Sequence, residues 1–265
     1  MFAASQGLEK DESEVIAHDK TCWVVDVGLI PYGPAFDLQR RLVAARKAGA
    51  VPDVLLLCEH PHVITLGRNG HQENLLASSN LLRQMGVEFH ATDRGGDITY
   101  HGPGQIVGYP ILNLAAIRRD VAWYVRQLEE AMIRTTAEFG IEVGRKAGLT
   151  GVWVDVSSGG ANGMASEKLA AIGVHLSRWV TSHGFAYNVS TDLRYFDLIV
   201  PCGIRDKRAT SLERLLGRAV GREEVAPRIV AHLGDIFGRE MQSVSCETLE
   251  EHLEEHRTPM AHASV

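Results

Sequence analysis

Between Pro34 and Ala48 the apolar residues Ala35, Leu38, Leu42 and Ala45 recur at helical spacing, with proline near the start and Gly49 just past the end. This predicts an amphipathic helix with one face on a core. A longer helix is expected from Asp120, whose carboxylate suits an N-cap, with Val121, Val125, Leu128, Met132, Thr135 and Phe139 on one stripe and a stop at Gly140. Thr210 followed by Glu213 has the form of a capping box for a short helix ending near Gly217.

Strand patterns dominate elsewhere. Asp53 to Cys58 and Val63 to Leu66 read as buried strands. Further strands are predicted over Val87 to Thr92, Ile98 to Tyr100, Ile106 to Leu112, Val152 to Val156, Leu169 to Val174, Trp179 to Ser182 and Phe185 to Val189. Several are separated by too few residues for a crossover helix, so they must pair as antiparallel hairpins. The expected class is α+β (mixed α/β), a mixed and largely antiparallel sheet flanked by helices. The glycine-rich run from Ser157 to Ser166 reads as a flexible surface hairpin loop. Neither an internal repeat nor a dividing linker interrupts the alternation, so one continuous domain is expected over residues 21–245.

Composition narrows the class of partner. The chain has 265 residues, 45% hydrophobic and 23% charged, enough for a core that needs neither disulfide nor metal. Its formal net charge of −6 argues against a nucleic-acid backbone as the main partner. The acidity is peripheral. Residues 1–20 and 246–265, at −3 and −4, more than account for it and are expected to be acidic tails, leaving 21–245 at +1. Four scattered cysteines, Cys22, Cys58, Cys202 and Cys246, speak for reduced thiols. With no leader-like start and no run of 18 apolar residues, a soluble cytoplasmic protein, without a membrane partner, is expected.

Three segments are candidates for chemistry. Arg94 to Gln105 holds four glycines, a proline, Arg94 and His101, which describes a backbone brought close to something with two polar side chains aimed at it; a tight hairpin is the simpler reading. It is neither a phosphate-binding Walker loop nor a dinucleotide fingerprint. In Val200-Pro201-Cys202-Gly203-Ile204 an apolar run ends at a thiol followed by Arg205, Lys207 and Arg208, positive charge that favours a thiolate. The other three cysteines read as buried and structural. Lys168 heads an apolar strand, where a lysine either faces solvent or acts on a neighbouring thiol. A cysteine–histidine hydrolase using Cys202 with His101 or His183 stays open on spacing alone. No metal-site signature occurs; His60-Pro61-His62 lacks companion ligands, and His252 and His256 read as solvated.

Taken in order, Glu59-His60-Pro61, Leu66-Gly67-Arg68, Arg94 to Gln105, Gly108-Tyr109-Pro110, Lys168 to Gly173, His183 to Asn188, Pro201 to Ile204 and Thr210-Ser211-Leu212 resemble the octanoyltransferase (lipoate-protein ligase B) family, relatives of the biotin and lipoate ligases. The resemblance implies a ligase-like catalytic fold and an acyltransferase without cofactor. It implies transfer of an octanoyl or lipoyl group from an acyl carrier protein thioester to a lysine of lipoyl domains, those of 2-oxoacid dehydrogenases and the glycine-cleavage H protein, through a thioester on the enzyme. On that reading Cys202 is the nucleophile and Lys168 lowers its pKa. Arg94, Gly95, Gly96, Asp97, Ile98, Thr99, Tyr100 and His101, with Ala171, Ile172, Gly173, Gly184, Phe185 and Ala186, would line the acyl pocket. The run from 157 to 166 is longer than the hairpin usual in the family. An ATP-dependent lipoate or biotin ligase and a non-catalytic acyl-binding protein are the competing readings. Arg205 to Arg222, with six basic residues against Asp206 and Glu213, is expected to steer an acidic carrier toward Cys202.

Overall fold

The computed structural model describes residues 20–157, 164–200 and 208–256. A sheet of nine strands forms its centre. β1 (Thr21–Leu29) lies parallel between β12 (Glu240–Ser243) and β2 (Asp53–Glu59). From β2 the sheet continues antiparallel through β6 (Gln105–Ile111), β10 (Val180–Asn188), β9 (Met164–Ser177), β8 (Leu149–Ser157) and β7 (Gly144–Lys146). The two-residue β11 (Arg208–Ala209) runs parallel to β9 beside Glu167 and Lys168, just past Ala170, where β10 stops pairing. A second sheet sets β3 (Val63–Leu66) between β4 (Glu88–Ala91) and β5 (Ile98–His101). The mixed, mostly antiparallel class expected from the strand spacing is what folds.

Helices cover both faces. α1 (Tyr32–Ala48) ends on Gly49, whose φ of 73° satisfies the left-handed cap, and buries Leu38 and Leu42 against Leu56, Val107 and Ile111. After the short α2 (Ser79–Gln84), α3 (Val121–Ala137) begins at Asp120, whose carboxylate accepts from Trp123 N. Its buried stripe is turned from the expected one: Leu128, Met132 and Thr135 are inside, with Tyr124 and Glu129, while Val121 is exposed. α4 (Leu212–Leu216) is capped by Ser211 accepting from Arg214 N, so the cap is Ser211 and not Thr210. Thr210 is spent otherwise, its N–H donating to the Lys168 carbonyl at 2.9 Å.

The structure adds elements that the pattern does not announce. β1 and β12 complete one edge of the sheet, and α5 (Arg222–Phe237) packs Val225, Ile229 and Leu233 into the core despite Pro227. Pro227 is the sixth residue of the helix, just beyond its first turn, so its missing N–H leaves the Glu223 carbonyl without its i+4 intrahelical partner. The stretches Trp179 to Ser182 and Phe185 to Val189 are one strand, joined through His183 at φ 54°. Residues 246–255, expected as tail, form α6 (Cys246–Glu255), because Leu249 and Leu253 at i, i+4 bury against the face of β1 and α1. His252 correspondingly packs its ring edge-on to Trp23, 4.9 Å between centroids, and Cys246 is exposed where Cys22 and Cys58 are buried. The ends of the 157–166 run pair as a hairpin, Ser157 opposite Met164; its middle, residues 1–19 and 257–265, and Cys202 lie outside the described residues.

Candidate active site

A cavity of about 680 Å³ opens along β9, β10 and the connection that enters β5. Strand register assembles much of its wall. Ala171 pairs with Ala186, Ile172 with Phe185 and Gly173 with Gly184. Successive residues point to opposite faces, so two pairs of small residues share one face and the bulky pair lies between them on the other. All six border the cavity. The two arms of this hairpin thus form a single surface.

Arg94, Gly95, Gly96 and Asp97 form a second wall. Gly95 N donates to Val174 O at 2.9 Å, and a Cβ on Gly173 would stand 2.8 Å from Gly95 O, so the backbone of this segment lies directly on β9. Gly67 closes the other side: a Cβ there would lie 2.4 Å from Gly96 O. The Arg94 guanidinium is buried, with Nη2 donating to Thr65 O at 2.7 Å and to Thr65 Oγ1 at 2.9 Å. Asp97 braces the neighbouring loop, accepting from Asn74 Nδ2 at 2.6 Å and His71 N at 3.1 Å. Ile98, Thr99 and His101 also border the cavity, but Tyr100 does not. Its ring lies across the small sheet, stacked 5.2 Å from Tyr195, with Oη 2.7 Å from His62 Nδ1.

His101 is buried and neutral. Burial first, then the neighbouring His60 and the Arg94 cation, push its pKa down to about 3. It is therefore no proton store at neutral pH. His60, also held below the usual histidine value by burial, bridges Ile30 O and Tyr109 Oη at 2.7 Å each. His183 Nε2 lies 2.7 Å from Asp93 Oδ1. Two amides of the glycine-rich segment are already committed, Gly95 N to Val174 O and Gly104 N to Glu59 Oε2 at 2.9 Å. Among the described residues no three His, Cys, Asp or Glu side chains gather to hold a metal ion, and no helix is long and apolar enough to cross a membrane.

Lys168 reaches the same cavity from the middle of β9 rather than from a strand head. Its backbone is paired on both sides, with Trp153 of β8 and with Ala209 of β11. Its Nζ lies 4.6 Å from the centre of the Trp153 ring. Of the basic residues expected to form a steering field, Arg214 meets Glu167 at 3.3 Å, Arg218 meets Glu224 at 3.1 Å, and Arg222 is bonded to Asp26. Local carboxylates thus neutralise half of that stretch.

Gln105, the end of the glycine-rich segment, borders the cavity too, as do Tyr32, Tyr109, Trp153 and Asn188, which are not among the pocket residues expected from sequence. Tyr109 and Asn188 sit inside motifs that the sequence did single out, and strand alternation from Val107 would have pointed Tyr109 the same way. Tyr32 and Trp153 carry no local signal, since their place depends on packing and register.

Comparison with known proteins agrees with this architecture. Residues 31–234 match the family model of the lipoyl protein ligase A/B catalytic domain. The octanoyltransferase of Solibacter usitatus (strain Ellin6076) is 55% identical over 222 residues, 84% of this chain and 96% of that protein. That of Acidobacterium capsulatum is 50% identical over 227 residues, 82% and 91% of the two chains. Among solved structures, the bi-partite lipoate protein ligase of Thermoplasma acidophilum superposes with a TM-score of 0.68 over 89% of this chain and 91% of its own, at 15% identity, a likeness of fold. The chain belongs to the octanoyltransferase family, built on the lipoyl protein ligase A/B catalytic domain.

Proposed function

We propose that this protein is an acyltransferase that moves an octanoyl group from an acyl carrier protein thioester onto a lysine of lipoyl domains, through a thioester on Cys202. The observation that carries this reading is the placement of Lys168: its side chain enters a cavity of about 680 Å³ with largely apolar walls, and its strand pairs with Arg208–Ala209, the first described residues after Cys202. Five residues separate Cys202 from Arg208, and Val200, on the other side, is tied by its N–H to Asn74 O at 2.7 Å. An extended residue spans roughly 3.3–3.6 Å, so both anchors limit how far the thiol can stand from the cavity.

In the first half-reaction the Cys202 thiolate attacks the donor carbonyl. The tetrahedral oxyanion collapses, the carrier thiolate leaves, and Lys168 or solvent returns its proton. One thioester replaces another. In the second, the acceptor amine attacks the acyl-enzyme; the C–N bond forms, the C–S bond breaks, and the amine proton passes to the leaving Cys202 sulfur through Lys168. An amide is more stable than a thioester, so no nucleotide is consumed. Apolar walls from Ile172, Phe185, Val107 and Leu149 disfavour water as a competing nucleophile.

Incubation with octanoyl-acyl carrier protein in the absence of ATP, followed by peptide mass mapping, should place an octanoyl adduct on Cys202 that a lipoyl domain then removes. An adduct formed equally by Cys202→Ala, or turnover that requires ATP, would sink the reading. Acceptors are lipoyl domains of the 2-oxoacid dehydrogenase and glycine-cleavage H protein kind, which the same assay ranks directly.

A further inference from the structure

The pairing of β8 with β9 contains a shift of register. Val152 stands opposite Ala170, but Trp153 stands opposite Lys168, so Leu169 is an extra residue on β9. Regular pairing would set Trp153 against Leu169 and send the Trp153 and Lys168 side chains to opposite faces. The bulge brings them to one face, where the ammonium lies over the indole at 4.6 Å. Local structure pins the bulge. Gly151, at φ 121°, has no room for a Cβ, which would lie 2.5 Å from Ala170 O, and its N–H donates at 2.9 Å to Oε1 of the buried Glu129. Glu129 is itself held through Oε2 by Arg145 Nε at 2.9 Å. The indole cannot swing freely, because Trp153 is buried and its Nε1 donates to Leu149 O at 3.2 Å.

The geometry points to Trp153 as the positioning residue for Lys168: the bulge at Leu169 exists to seat the ammonium on the indole face, which orients it within the cavity. A ring quadrupole attracts a cation along the face, and the attraction grows as water is excluded. On this account Trp153 acts through Lys168. The inference rests on the proposed role of Lys168 toward Cys202.

Trp153→Leu keeps an apolar wall and removes the π face; Trp153→Phe keeps a smaller π face. In a Cys246→Ser background, which removes the exposed thiol, the pH dependence of Cys202 alkylation and the split between kcat and KM are measured for both variants and for Lys168→Ala. Trp153→Leu is expected to move the alkylation curve to higher pH and to lower kcat roughly three- to thirtyfold, the range of a partly desolvated cation–π contact. Trp153→Phe should restore most of both. An unmoved alkylation curve in Trp153→Leu, with only the KM for the acyl donor changed and the curve of Lys168→Ala shifted, would show a mere cavity wall and overturn the proposal alone. An unmoved curve in Lys168→Ala as well would overturn the reading of Lys168 and this inference with it.

Discussion

The side-chain amide of Gln105 donates to the side-chain oxygen of Asn188 at 2.9 Å, and this bond settles the proton positions of a buried chain. Asn188 Nδ2 donates to Thr210 O, a backbone carbonyl that can only accept, so Asn188 Oδ1 must face Gln105. Gln105 Oε1 is then left for His101 Nδ1 at 2.8 Å, which must carry the proton. His101 Nε2 is thereby an acceptor toward Thr65 Oγ1, the atom that also receives the Arg94 guanidinium. The chain runs from Arg94 to Thr210, whose N–H holds the carbonyl of Lys168.

Replacing Asn188 by Asp removes the donor to Thr210 O while keeping size. Asn188 and Gln105 are both almost fully buried, so one orphaned carbonyl and a buried charge are expected to cost about 2–4 kcal/mol. Urea unfolding of Asn188→Asp should show a lower midpoint at pH 7 with unchanged slope. A midpoint equal to that of the parent would mean that the chain carries no structural weight.

Acid should destabilise the fold earlier than its carboxylates alone predict. Between the unfolded histidine value of 6.5 and the folded value of about 3, the unfolded chain binds a proton that His101 refuses. Stability is therefore whole above pH 6.5 and falls as pH is lowered toward 3, by up to about 1.4 kcal/mol per pH unit for one group. His60 and His183 are shifted in the same direction by burial and add to the slope. Denaturant midpoints measured from pH 7.5 to 4.5 test this, and His101→Asn should flatten part of the decline; an identical slope in the variant would refute the assignment.

Acyl-chain preference should respond to the small pairs on β9 and β10. Ala171 stands opposite Ala186 on the cavity wall, and Ala171→Val adds two methyl groups there. Each methylene that a shorter chain gives up forfeits about 0.8 kcal/mol of burial, about a fourfold change. In competition between octanoyl and hexanoyl donors, which differ by two methylenes, the variant should shift toward hexanoyl by up to about fifteenfold. An unaltered ratio would place the acyl chain elsewhere.

Asp53 ties the termini of the fold together far from the cavity. It is 1% exposed, accepts from Arg46 Nε at 2.7 Å and Arg239 Nε at 2.8 Å, and also takes Asn113 N at 2.9 Å. Asp53→Ala strands two nearly buried guanidinium groups and should cost about 3–5 kcal/mol. Its thermal midpoint should drop by many degrees, whereas the acyl-enzyme should still form on protein folded at low temperature. Loss of the adduct in a folded variant would contradict this separation.

Periodicity and capping along the chain determined α1, α3 and most strands of the sheet, because a helical stripe and a period-2 alternation are written in neighbouring residues. Glycine clustering marked Arg94 to Gln105 as a segment of close approach, whereas the resemblance to the octanoyltransferase family, and not the local pattern, pointed to Ala171 to Gly173 and Gly184 to Ala186. Only the tertiary structure decided the register that sets the last two stretches opposite one another residue by residue, and that Tyr100 turns away from the cavity. It also set Trp153 under Lys168, a consequence of one extra residue in a ladder. Register and packing depend on residues far apart in the chain, and a bulge changes which face a side chain meets without any change in the local pattern that a sequence displays.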